Sequence, residues 1–230
     1  MPAVPSPSRS RSQDVAVLLS GGLDSSVALH WAASTHHVVL ALSFDYGSKH
    51  ASHELACATQ QAQALGIEHH IIDIKHLSQF LKSSLLEGGD NIPDGSYEQG
   101  NMSQTVVPFR NGIFLAIAAG IAESHGAQGI VIAAHSGDHD IYPDCREEFM
   151  TAMTQAIQQG TYAQLGILRP FIHLSKGEIV KQGDQLHVDF AHTYSCYKGG
   201  QIHCGTCATC IERKEAFIQA GILDPTIYAH

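Results

Sequence analysis

The sequence predicts an α/β fold: a doubly wound, parallel five-stranded sheet with a small C-terminal zinc knuckle and helix. Three observations predict it. Short apolar runs alternate with helix-patterned segments from residue 14 to about 190, and such alternation builds a parallel sheet covered on both faces. Glycine-rich and polar stretches follow the first, second and fourth runs, at the strand ends where these sheets hold ligands. Four of the six cysteines crowd into residues 196–210. The chain divides into a disordered tail (1–13), an α/β domain (14–190) and a cysteine-bearing segment with a final helix (191–230).

The elements follow in order. "DVAVLL" (14–19) reads as a buried strand, residues 24–34 as a helix, and "VVLALSFDY" (38–46) as a second strand. "ASHELACATQQAQALG" (51–66) has helical periodicity and a glycine stop. "HHIIDI" (69–74) is a third strand, with a helix around 76–86. The polar stretch 87–108 has the length typical of lids, binding loops or disordered segments. "FRNGIFLAIAAGIAESHGA" is an apolar helix, and "GIVIAA" (129–134) a fourth strand. The loop "HSGDHDIYPD" leads into a helix over about 145–159, and "ILRPFI" (167–172) is the fifth strand. "SKGEIVKQGDQL" starts with Ser175 and has Glu178 three residues on, a capping-box spacing. A helix over about 208–220 closes the chain.

Composition narrows the classes. The 230 residues, 44% hydrophobic, suit one soluble domain with a proper core. No run approaches the roughly 20 apolar residues that span a bilayer, and "MPAVPSPSRSRSQD" lacks the apolar region of a signal peptide. A cytoplasmic protein without a membrane partner is expected. A net charge of −9, with 13 Lys and Arg and no run of them, argues against a nucleic-acid partner. The histidine pairs at 36–37 and 69–70 read as surface or strand-edge residues. His50 and His53 lie near Glu54, but "HASHE" is not the order of a zinc-protease motif, and no function is assigned to it.

Behind the first strand stands "SGGLDS" (20–25). Gly21 and Gly22 let main-chain N–H groups approach a ligand. The next helix aims its positive end at the same place. Ser20, Ser25 and Ser26 add hydroxyls, so the stretch is an anion cradle. It lacks the lysine of a Walker loop and the spacing of a dinucleotide fingerprint. A tight turn capped by Asp24 is the alternative.

Cys196, Cys204, Cys207 and Cys210 contain two C-x-x-C steps and a seven-residue spacer, a pattern suited to one closed, tetrahedral zinc site. An iron–sulfur cluster would continue with a further Cys-Pro, whereas Ile211-Glu212-Arg213-Lys214 follows.

The string "SGGLDS" resembles the pyrophosphate-loop signature of the ATP pyrophosphatase superfamily, whose members cleave ATP between the α- and β-phosphates and adenylate a substrate oxygen. "FDYG" (44–47), "VPFRN" (107–111), "YPDCREEF" (142–149), "KGEI" (176–179) and the cysteine cluster, in this order, together resemble the 7-cyano-7-deazaguanine synthase family from about residue 14 to 224. That resemblance implies an adenine nucleotide alpha hydrolase-like fold. It implies conversion of 7-carboxy-7-deazaguanine, ammonia and ATP to the nitrile through an adenylated carboxylate and an amide. ATP, Mg2+ and structural Zn2+ are the implied cofactors, free ammonia the nitrogen source, and a homodimer the implied assembly.

By the same resemblance, Leu18, Leu19, Ser20, Gly21, Gly22, Leu23, Asp24, Ser25, Ser26, Val27 and Ala28 form the ATP-binding segment. Ser43, Phe44 and Asp45 meet the adenine through the backbone, and Asp24 binds magnesium or orders the loop. Ser20, Asp24, Ser25, Arg110 and Lys176 are the catalytic candidates; Arg110, Asn111, Tyr142, Asp144 and Arg146 are the substrate candidates. An arginine fork suits a phosphate or carboxylate, with a surface ion pair as the alternative. Asp144 and Arg146 either read the ring or the acyl-phosphate, or form a structural ion pair. Lys176 either neutralises pyrophosphate or is a solvated helix-start lysine. Adenylation needs no nucleophile, so Cys145 is a packing or substrate-contact residue.

Two departures from the family pattern stand out: Ser48-Lys49-His50 where Gln-Arg-His is usual, and "HSGDHDI" at 135–141. A tRNA-thiolation enzyme of the same superfamily and a zinc-knuckle nucleotide-binding subunit are the competing readings.

Overall fold

The computed structural model describes residues 12–96, 102–135 and 142–229. Its elements are β1 (Asp14–Leu18), α1 (Leu23–Thr35), β2 (His37–Asp45), α2 (Ala51–Ala64), β3 (His69–Asp73), α3 (Arg110–Ser124), β4 (Gly129–Val131), α4 (Glu147–Gly160), β5 (Gly166–Leu168), α5 (Lys176–Gln185) and α6 (Ala208–Ala220). Most of the expected tail lies outside the described residues, as do 97–101 within the long loop and 136–141 of the unusual stretch before "YPDCR".

The five strands form one parallel sheet in the order β3-β2-β1-β4-β5. Alternation along β1 explains the two layers. Val15 and Val17 face a core built with α1, α2, α5 and α6, while Ala16 and Leu18 face one built with α3 and α4. Fully buried side chains such as Leu29, Leu40 and Leu115 each contribute about 1.5–3 kcal/mol. Ser175 and Glu178 form the expected capping box at the start of α5.

Two expectations are corrected. The helix around 76–86 is a 3-10 turn over Lys75–Phe80, followed by irregular chain. Serine side chains compete with helical bonding here: Ser78 Oγ donates to the Lys75 carbonyl at 2.7 Å, and Ser83 Oγ accepts from Leu85 N at 3.2 Å. Leu85 and Leu86 turn instead into a third cluster with Ile92, Val107, Tyr194, Cys196, Cys207 and Cys210. Second, Ser103–Ser124 is long and apolar enough by length and composition alone to cross a membrane. In the fold its α3 portion buries Leu115, Ala118, Ala119 and Ala122 against the sheet, which accounts for its apolar character.

The third cluster joins the long loop to the cysteine segment. Asp94 pairs with Cys207 in an isolated antiparallel bridge, and its Oδ1 accepts from Lys198 Nζ and Thr206 Oγ1, each at 2.5 Å.

Candidate active site

Strand order reverses between β1 and β4, and a cavity of about 220 Å3 opens at their carboxyl ends. Leu18, Leu19, Ser20, Gly22, Leu23, Asp24 and Ser25 line one side of it.

The loop is folded around one hydroxyl. Ser25 Oγ accepts from Ser20 N and Gly21 N, both at 3.2 Å, and lies 2.9 Å from Ser20 Oγ. Gly21 has φ +88°, and a Cβ there would fall 2.0 Å from the Glu54 carbonyl oxygen. Only glycine satisfies both demands. Gly22 corrects the expectation of special backbone freedom at both glycines: its φ of −73° and ψ of 169° are open to any residue. No side chain caps α1, so the positive end of that helix is turned to the cavity. Asp24 lies in the first turn rather than at the cap.

Asp24 and Lys176 come together from opposite ends of the domain. Lys176 Nζ is 3.3 Å from Asp24 Oδ2 and 2.5 Å from Glu212 Oε2. His135 Nε2 lies 3.7 Å from Asp24 Oδ2. Asp24 Oδ1 is buried without a hydrogen-bond partner among the described residues. A buried carboxylate oxygen in that state fits a divalent cation.

Arg110 enters from the other wall, with its guanidinium 5.9 Å from the centre of the Tyr46 ring. The residue before it, Phe109, adopts φ +56°, a left-handed backbone that is strained for a bulky side chain and aims the start of α3. Asn111 and Tyr142 line the cavity, as does Cys145. Asn111 Nδ2 donates to the Cys145 sulfur at 3.2 Å, and the Tyr142 hydroxyl is 3.2 Å from that of Tyr197.

Other expected residues stand behind the lining. Ser26, Val27 and Ala28 are buried in α1. Ser43 Oγ donates to the Leu19 carbonyl and lies 2.7 Å from His69 Nε2. Asp45 pairs with Lys75 at 3.4 Å, whereas Phe44 reaches the cavity. Asp144 is buried, and its Oδ2 accepts from Asn111 N at 2.8 Å, holding the start of α3. Arg146 is exposed at the start of α4, away from the cavity lining. Lys49 turns outward to the carbonyls of Gly89 and Asp90, at 3.0 and 2.6 Å.

Sequence reasoning passed over several wall residues: Tyr46, His50, Glu54, Tyr194, Ser195 and Tyr197. His50 is 2% exposed, its Nε2 lies 3.6 Å from Glu54 Oε2, and its ring stacks on Tyr197. Burial pushes the Glu54 carboxyl up to about 8, against the opposing field of Arg110. Burial, helped by the same arginine, lowers His50 to about 4. A signal was available: both residues sit just past the end of the second strand, in a loop and helix start that the sheet rule had marked.

The four cysteine sulfurs lie within 4.8 Å of one another. Tetrahedral zinc with bonds near 2.3 Å requires sulfurs roughly 3.8 Å apart, and Cys204 and Cys210 are 3.9 Å apart. Backbone N–H groups of Cys204, Thr206 and Cys207 point at cluster sulfurs from 3.3–3.4 Å, as thiolates require. The donor set fits one structural Zn2+ with no open position. Arg213, fully buried, secures the strand of chain that enters it by donating to Thr193 Oγ1 (2.7 Å), Ser195 Oγ (3.2 Å) and the Phe190 carbonyl (3.0 Å).

A lysine-free Ser-Gly-Gly loop at the switch point of this sheet, with an aspartate–lysine pair beside it, defines a nucleotide-binding α/β protein of the pyrophosphate-loop class. Comparison with known proteins narrows the class: residues 14–221 match the family model described as "Queuosine biosynthesis protein QueC", and the chain belongs to that family. It is 50% identical over 218 residues to a 7-cyano-7-deazaguanine synthase of Porphyromonas gingivalis, covering 95% of this chain and 98% of the relative. It is 50% identical over 215 residues to the enzyme of that name from Desulfotalea psychrophila, covering 94% and 98%. Among solved structures it resembles the U34-tRNA thiolase NcsA from Methanococcus maripaludis, with a TM-score of 0.50, 15% identity, and coverage of 91% of this chain and 66% of that one; this likeness shows the fold alone.

Proposed function

We propose that the chain converts 7-carboxy-7-deazaguanine, ammonia and ATP to 7-cyano-7-deazaguanine, an ATP-dependent nitrile synthesis in queuosine-type deazapurine production. The observation that carries the reading is the 50% identity to the Porphyromonas synthase along almost the whole of both chains. The cavity supplies matching chemistry. A carboxylate is inert to ammonia until one oxygen becomes a leaving group, and transfer of AMP to it provides that. The positive end of α1 and Lys176 hold the departing pyrophosphate, while Asp24 would hold a magnesium ion that offsets its charge. Arg110 faces the substrate carboxylate. Tyr142 and Asn111 flank the ring, and Asp144 acts through Asn111 by fixing the start of α3.

Dehydrating the amide requires the same activation of an oxygen, so one site serves twice. A tRNA-thiolation role has only the distant fold likeness behind it. The test is mass spectrometry of a reaction with 7-carboxy-7-deazaguanine, ammonium and ATP. Loss of the acid, gain of amide and then nitrile, and release of AMP and pyrophosphate are expected. If the zinc-replete protein leaves the acid unchanged, the proposal fails.

A further inference from the structure

Two carboxylates line the cavity, Asp24 and Glu54. Asp24 has Lys176 beside it at 3.3 Å. Glu54 has no lysine or arginine within 4 Å among the described residues; His50 Nε2 stands at ion-pair distance, 3.6 Å. The side chain is 19% exposed, so the cavity reaches it. A largely enclosed carboxylate without a cation beside it is costly. The reaction brings a small cation into this space, since ammonia in neutral water is mostly ammonium.

We propose that Glu54 is the ammonium site, binding the incoming cation and taking its proton so that ammonia is released beside the activated carboxyl. This inference rests on the function proposed above. The steps balance. Ammonium gives one proton to the Glu54 carboxylate. The nitrogen lone pair forms the C–N bond, the C–O bond to AMP breaks with its electron pair, and the nitrogen loses a second proton. AMP and the amide remain, and both protons pass to water through the cavity mouth. In the second half, adenylation of the amide oxygen releases pyrophosphate and one N–H proton, and the resulting imidate loses the other as the C–O bond to AMP breaks and the nitrile forms; both protons again need an acceptor.

The surroundings suit the role. Facing Glu54 are His50 and Cys57 of α2, Tyr46 beyond β2 and Arg110 of α3. Arg110 is the only permanent charge among them; it opposes a carboxylate substrate without neutralising Glu54 directly. Before a cation arrives, desolvation holds the Glu54 carboxyl up to about 8 and so keeps it largely protonated; an arriving ammonium favours the ionised form, so the carboxyl sheds that proton to water and then accepts one from the bound cation.

The test separates two half-reactions in Glu54→Gln. ATP–pyrophosphate exchange driven by the acid, without ammonium, should remain near wild type. Amide formation should fall by about 100-fold, the scale of a lost general base. Hydroxylamine, already neutral at neutral pH, should restore acyl transfer. Glu54→Asp, which retracts but keeps the carboxyl, should fall between and respond to added ammonium. The assignment is overturned if Glu54→Gln keeps the wild-type dependence on ammonium. It is overturned too if the deficit lies in KM for the acid, which would place Glu54 on the ring, or if exchange and amide formation fall together in both variants. A wild-type protein with no exchange on this acid overturns the proposed function and this inference with it.

Discussion

Lys176 Nζ stands 3.3 Å from Asp24 Oδ2, a pairing made across the mouth of the anion loop by residues from the first and fifth helices. Glu212 Oε2, 2.5 Å from the same ammonium, holds the lysine in place. Lys176 therefore lines the cavity instead of standing in solvent.

Replacing Lys176 by Met should therefore impair activation more than folding. Asp24 and Glu212 would be left without their cation where an anionic leaving group must sit. ATP–pyrophosphate exchange should drop about 100-fold, with zinc content and circular dichroism unchanged. Exchange at the wild-type rate would remove Lys176 from the activation step.

Glu54 gives the protein a pH-dependent cost. Its folded pKa is raised from 4.5 to about 8, first by burial. The stabilising share of the neutral carboxyl is therefore complete below 4.5 and is lost as pH rises towards about 8. Glu54→Gln, fixed in the neutral form, should melt higher than wild type at pH values near and above 8 and show little difference in mild acid. Thermal unfolding of both proteins across that range checks the sign; a variant less stable at alkaline pH would contradict it.

Zinc removal should cost more than the knuckle. Structural zinc contributes about 10–16 kcal/mol in small peptides, comparable with the whole stability of a domain at about 5–15 kcal/mol. Cys196, Cys207 and Cys210 share a core with Leu85, Leu86, Ile92 and Val107. Chelation, or Cys207→Ser, should thus expose both 85–107 and 194–210 to hydrogen exchange and lower Tm. Exchange confined to the cysteine segment would show the loop stands independently.

Arg213→Met tests the buried clamp. The guanidinium is fully buried, with Asp224 Oδ1 3.2 Å from its Nε. Removing one partner of such a pair costs about 3–5 kcal/mol. Urea denaturation should show a loss of that size. A loss below 1 kcal/mol, the ceiling of an exposed pair, would contradict the clamp.

Much of the fold was legible because its signals are local. The alternation of apolar runs gave five parallel strands, and Ser175 with Glu178 marked the start of α5. The short segment 76–86 misled because its apolar residues serve a core formed with residues about a hundred positions later, and periodicity carries no such information. In the site, "SGGLDS" and the cysteines announced themselves by spacing. Glu54 and His50 did not, because what distinguishes them is burial beside Arg110 rather than a motif. Asp144 shows the converse: adjacent to the cavity in sequence, it bonds the backbone of Asn111 instead of lining the space. Gly21 read correctly as special, but half of its reason, the approach of the Glu54 carbonyl, is tertiary.

The hydrogen bond from Tyr194 N to the Gly21 carbonyl, 3.0 Å long, ties the anion loop to the segment entering the cysteine cluster. During synthesis the first β-α unit leaves the ribosome long before that partner exists. The cavity therefore gains the wall formed by Tyr194, Ser195, Tyr197 and Thr209 only after the cysteine-bearing segment has been made and has folded back onto the first β-α unit. Closing the cavity is thus a late, long-range event in folding, joined to the packing of the cysteine segment against the anion loop.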